Sequence, residues 1–186
     1  MKNIVLLFCI PLLLSACGND FYEQQYALYE SAVEKVNNKE LSGCDETIAL
    51  LFETEMGVAR LSSSVSSRER KELRGDYGAE FSAMENRIES MRDSLFFFAD
   101  KAYDGAHFHF VEKRIILYGC VADCYSKVQT NEELEVVQSL YERYSAMAYA
   151  DGQRLCDSPQ RSRQLYDSLK NVVSENYNAA LGRLGK

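Results

Sequence analysis

Residues Phe81-Ser82-Ala83-Met84-Glu85-Asn86-Arg87-Ile88-Glu89-Ser90-Met91-Arg92-Asp93-Ser94-Leu95-Phe96-Phe97-Phe98-Ala99-Asp100-Lys101-Ala102 decide the fold. Within them Phe81, Met84, Ile88, Met91, Leu95, Phe98 and Ala102 recur at alternating steps of three and four. That spacing is the a/d seam of a helix packed along one side. Asp104-Gly105 then marks a turn, and the same period resumes beyond it.

Outward from this helix the pattern repeats. Toward the N-terminus, Asp20 can cap a helix to about Asn38, with Tyr22, Tyr26, Tyr29, Val33 and Val36 along one side. Asn37-Asn38 and Ser42-Gly43 mark a loop. Asp45 caps a second helix carrying Ile48, Leu51, Phe52, Met56, Leu61 and Val65, whose serine-rich end (Ser62 to Ser67) is a weak helix former and is expected to fray before Gly75. Toward the C-terminus, Phe108, Val111, Ile115, Tyr118, Val121 and Tyr125 continue in a helix to about Val128. Thr130 or Asn131 caps the next. Its first turn holds Glu132, Glu133 and Glu135, where the helix dipole favours negative charge, and its apolar face is Leu134, Val137, Leu140, Tyr141, Tyr144, Met147 and Ala148. Ser158 as N-cap and Pro159 at the first helical position open a last helix with Leu165, Leu169, Val172, Val173, Tyr177, Ala180, Leu181 and Leu184. Short connections between such helices favour antiparallel neighbours. The expected fold is all-α, an antiparallel bundle of five to six helices formed by residues 17–186.

The N-terminus is of another kind. Met1-Lys2-Asn3 carries one positive side chain, and Ile4 to Leu14 is almost wholly apolar. A basic start, a short apolar core and small residues before a cut site define a secretory signal. Those eleven residues rise only ~16 Å as a helix, short of the ~30 Å hydrocarbon core. Leu14-Ser15-Ala16-Cys17 resembles the lipobox of bacterial lipoproteins. The resemblance covers the first 17 residues and implies cleavage of residues 1–16, with lipidation of Cys17. It also implies a cell-envelope location. Gly18 follows Cys17 where the class uses aspartate for inner-membrane retention, so a Gram-negative host would place the chain in the outer membrane, facing the periplasm.

Charge agrees with an anchor of this kind. Loss of Lys2 with the signal takes the formal charge from −7 to −8. An acidic chain is a poor ligand for nucleic acid and for anionic headgroups, so membrane affinity is expected from acyl chains and no nucleic-acid partner is expected. The mature chain has no tryptophan and one proline, Pro159.

Once Cys9 and Cys17 are set aside, Cys44, Cys120, Cys124 and Cys156 remain. An even number in an exported domain suggests up to two disulfides. In an up-down bundle Cys44 and Cys156 fall at the same end, which makes Cys44–Cys156 a candidate bridge. Its complement, Cys120–Cys124, spans one helical turn, where side chains meet poorly; Gly119 could loosen that turn. The alternatives are pairing between other helices and buried free thiols. Cys-x₃-Cys without a second pair does not suggest zinc. The two histidines, His107 and His109, would share a face on a strand and could then hold a metal with Asp104 or Glu112, but at a helix start they diverge. No metal and no cofactor is expected, and no activated serine or glycine-rich phosphate loop is present.

The most distinctive internal feature is aromatic: Phe96, Phe97, Phe98, Tyr103, Phe108 and Phe110 around Asp104-Gly105. Three consecutive phenylalanines cannot share one narrow face. Either the helix is buried on more than one side, or a phenylalanine is exposed at a partner site. Phe96, Phe97, Tyr103, Phe108 and Phe110 are thus the candidate partner patch. The expected function is an envelope lipoprotein that binds another protein, as an immunity or exclusion factor, a secretion accessory or an assembly factor. The alternatives are a lipid-anchored enzyme using dispersed residues and a structural lipoprotein.

Overall fold

A computed structural model of the chain describes residues 19–41, 43–66, 68–69, 71, 78–105, 110–155 and 159–185. Among them six long helices form: α1 (Asn19–Asn37), α2 (Cys44–Ser64), α3 (Gly78–Gly105), α4 (Phe110–Lys127), α5 (Asn131–Leu155) and α6 (Pro159–Arg183). No strand is found among the described residues. The signal segment, Cys17, Phe108, both histidines and Cys156 lie outside the described residues.

Paired side chains give the helix directions. Gln25 bonds Ser62 and Tyr29 bonds Glu55, so α1 and α2 run antiparallel. Tyr22 meets Phe81 and Arg87 lies over Tyr26, so α1 and α3 run parallel. Arg60 meets Glu133 and Phe52 meets Tyr144, which sets α5 against α2. Tyr125 meets Gln138 and Tyr118 meets Tyr141, which sets α4 against α5. Successive helices from α1 to α5 therefore alternate in direction, with α2 touching α1, α3, α4 and α5. Ile48, Leu51 and Phe52 of α2 are wholly buried for that reason.

Helix ends follow local chemistry. α1 stops in a Schellman turn: the Glu40 and Lys39 amides donate to the carbonyls of Lys35 and Val36, with Lys39 at φ 55°. α2 begins one residue before the expected cap, Asp45, with Gly43 as N-cap, and ends at Ser64 within its serine-rich end. α5 opens on a capping box. The Glu133 amide donates to Thr130 Oγ1 (3.2 Å) and the Thr130 amide donates to Glu133 Oε2 (2.9 Å).

Three expectations need correction. The seam of α3 is buried at Phe81 and Leu95 but then follows Ala99 and Tyr103, leaving Phe98 half-buried. A helix of 3.6 residues per turn drifts about 20° per heptad, so a strict three-four repeat leaves the contact line. Ile115 and Val172, expected inside, are exposed at 58% and 50%; the face that α4 buries instead carries Lys113, Arg114, Leu117, Tyr118, Val121, Cys124 and Tyr125. The candidate Cys120–Cys124 bridge is not formed, both thiols being free, which is the alternative the sequence left open. Positions one turn apart hold their Cβ atoms about 5–6 Å apart, whereas a disulfide needs about 3.8 Å. Cys44 is likewise a free, buried thiol, and its expected partner Cys156 lies outside the described residues.

Candidate functional site

The three phenylalanines of α3 take three environments. Phe97 points outward, 62% exposed, with Phe98 edge-on at 5.8 Å and the Lys101 ammonium 6.0 Å from its ring. Asn86, Glu89, Ser90, Asp93 and Ser94 precede it along a shallow surface groove on the same helix. Phe98 is half-buried against the core. Phe96 turns to the opposite flank, between α3 and α5.

Tyr103 leaves the expected patch altogether. It is fully buried, packs edge-on to Tyr144 at 5.2 Å and donates to the Lys113 carbonyl at 3.4 Å. Phe110 opens α4. Of the five residues expected to form one patch, the structure exposes Phe97, half-buries Phe96 and buries Tyr103.

Around Phe96 lies a polar layer that the helical pattern does not announce. Glu55 of α2 has a side chain only 6% exposed. It accepts from Tyr29 Oη at 2.6 Å and from Arg92 Nε and Nη2 at 2.9 Å each, a bidentate fork. Asp100, two turns beyond Arg92 on α3, repeats the arrangement with partners from α5: Tyr144 Oη donates to it at 2.9 Å and Arg143 pairs with it. Both guanidinium groups lie over Phe96, each 5.2 Å from the ring centroid, where cation–π attraction holds them.

The protonation states follow from these contacts. Burial, and then the adjacent Glu55 carboxylate, raises the Tyr29 phenol well above its ordinary range; burial and Asp100 do the same to Tyr144. Hydrogen bonding to Glu55 and Asp100 raises Arg92 and Arg143 in turn. Each phenol stays a neutral donor and each guanidinium a cation. A cleft of about 510 Å³ opens beside the first set, lined by Gln25, Tyr29, Ser62, Ile88, Glu132 and Val136 among others. The Glu55 carboxylate in it accepts three donated bonds, which makes it a strut between helices.

The free thiols sit apart from this layer. Burial, and then Asp45, pushes the Cys44 thiol up to about 11, against the opposing effect of Lys113. Cys120 and Cys124 share one side of α4, Cys124 buried and Cys120 half-buried. Among the described residues no three His, Cys, Asp or Glu side chains group as metal ligands, and no helix is long and apolar enough to cross a membrane. No family model matches the chain, and no curated protein or solved structure is found to be similar to it.

Proposed function

We propose that the chain is a lipid-anchored protein of the bacterial envelope whose helical bundle binds another protein. The anchor rests on Leu14-Ser15-Ala16-Cys17 and its flanks. Asn19, two residues past Cys17, already lies in α1, so an anchor at Cys17 would hold the bundle close to the bilayer.

The binding role rests on one observation: Phe97 is 62% exposed while its neighbours Phe96 and Phe98 are drawn against the bundle. Exposing an aromatic side chain forgoes burial worth about 1.5–3 kcal/mol, and aromatic residues are enriched where proteins meet. Glu89 and Asp93 beside it give the patch a polar, acidic rim.

A photocrosslinking amino acid at position 97 tests this in intact cells. A discrete adduct of defined mass is expected, with none from the same probe at Asn171, an exposed position of α6. Absence of an adduct at 97, or an identical adduct pattern from both positions, would remove the support for a binding face on α3.

A further inference from the structure

Cys120 and Cys124 stand one turn apart on α4, both as free thiols. Positions four apart on a helix lie on one face, so the two side chains share a side of α4. Cys124 is 1% exposed, whereas Cys120 is half-buried and gives access from solvent. The neighbouring Cys124 thiol, and then burial, raise the Cys120 thiol. Glu53 of α2 and Asp123 act on it in the same sense, as negative charges. Lys127 is drawn off to those same carboxylates, 2.6 Å from Asp123 and 3.5 Å from Glu53, rather than onto the sulfurs.

We infer that Cys120 and Cys124 form a two-coordinate site for a soft monovalent cation, copper(I). Soft thiolate ligands select copper(I) over harder ions. A linear bis-thiolate needs its sulfurs about 4–5 Å apart, twice a metal–sulfur bond slightly shorter than the ~2.3 Å of zinc. Helical positions with Cβ atoms about 5–6 Å apart meet that span without the backbone shift that a disulfide between them requires. A tetrahedral zinc site would need two more ligands, and among the described residues no third His, Cys, Asp or Glu completes such a group. On binding, two S–H bonds break and two S–Cu bonds form. Two protons pass to solvent and no electron is transferred, so the copper remains copper(I).

The test is a competition titration of the reduced full chain in detergent, without oxygen, against a chromophoric copper(I) chelator. One copper(I) per chain is expected. Cys120→Ser and Cys124→Ala should each weaken uptake by about tenfold or more, while Cys44→Ser and Cys156→Ser should leave it unchanged. Alkylation mapping on the unaltered protein guards against a variant that misfolds: copper(I) should shield Cys120 and Cys124 from a thiol reagent. Uptake unaffected by both substitutions, no uptake in competition, or shielding confined to Cys44 or Cys156 would each overturn the assignment.

Discussion

Phe96 lies under two guanidinium groups, those of Arg92 on its own helix and Arg143 on α5, each 5.2 Å from the ring centroid. Each arginine also holds a carboxylate that a tyrosine holds as well: Glu55 with Tyr29, Asp100 with Tyr144. One aromatic ring thereby joins two polar triads and ties together α1, α2, α3 and α5. A tie of this kind fixes helix register, since sliding α3 by a turn would separate both pairs at once.

That coupling is measurable. Arg92 is half exposed and Glu55 almost wholly buried, so Arg92→Ala leaves a buried carboxylate with Tyr29 and whatever water can enter. A loss of about 1–3 kcal/mol in urea unfolding is expected. Phe96→Ala should cost a similar amount. Because the two touch, the double variant should lose less than the sum, by about 0.5 kcal/mol or more. Strict additivity would show that the ring and the guanidinium act independently.

Much of this architecture is legible in the sequence, and the part that is not has a common cause. Asn131 starts a helix where its chemistry says it should. Thr130 caps α5 as expected. Glu133 was legible only as a first-turn acid. In the folded chain it is fully buried, caps Thr130 and pairs with Arg60 at 2.5 Å, 73 residues away. Among 28 acids, nothing local distinguishes Glu55, Asp100 and Glu133 from those on a solvated face. Which of them turns inward depends on the register between helices distant in sequence. The aromatic run failed differently: Phe96, Phe97 and Phe98 necessarily diverge by the helical turn, but the direction each takes is set by the packing of α3 on α1 and α2.

The buried phenols predict an alkaline limit to stability. Tyr29, Tyr103, Tyr125 and Tyr144 are all raised above the ordinary phenol range, burial being the first cause in each. In the unfolded chain they return to about 10. The folded state therefore binds these protons more tightly. Their contribution is complete below pH ~10 and is lost as pH climbs beyond it toward the folded values, because the unfolded chain alone releases protons there. Stability should fall above pH ~10 by up to about 1.4 kcal/mol per pH unit for each phenol. Replacing Tyr29 and Tyr144 together with phenylalanine should reduce that slope to about half. An unchanged slope in urea titrations between pH 8 and 11 would contradict the assignment.

Lys39 predicts a gain rather than a loss. It occupies the left-handed position of the turn that ends α1, at φ 55°, where a side chain bearing Cβ costs about 1–2 kcal/mol. Glycine suits that position. Lys39→Gly should raise stability, by about 0.5–1 kcal/mol once the added freedom of the unfolded chain is deducted. Its thermal midpoint should rise by a few degrees. A lower midpoint would mean that the lysine side chain contributes more than its backbone strain costs.

The proposed anchor makes the last prediction. Without residues 1–16 the chain carries a formal charge of −8, so repulsion from anionic headgroups opposes its membrane contact. Acyl chains must then supply the affinity, at about 0.8 kcal/mol per buried methylene; a single chain holds only weakly, and two or more hold firmly. High salt should therefore fail to release the native protein from membranes. Cys17→Ala removes the thiol that would carry the lipid. That variant should take up no labelled fatty acid and should keep its N-terminal 16 residues, visible by mass. Retention of label, or a normally processed chain that still partitions into membranes, would refute the reading of Leu14-Ser15-Ala16-Cys17 as a lipidation signal.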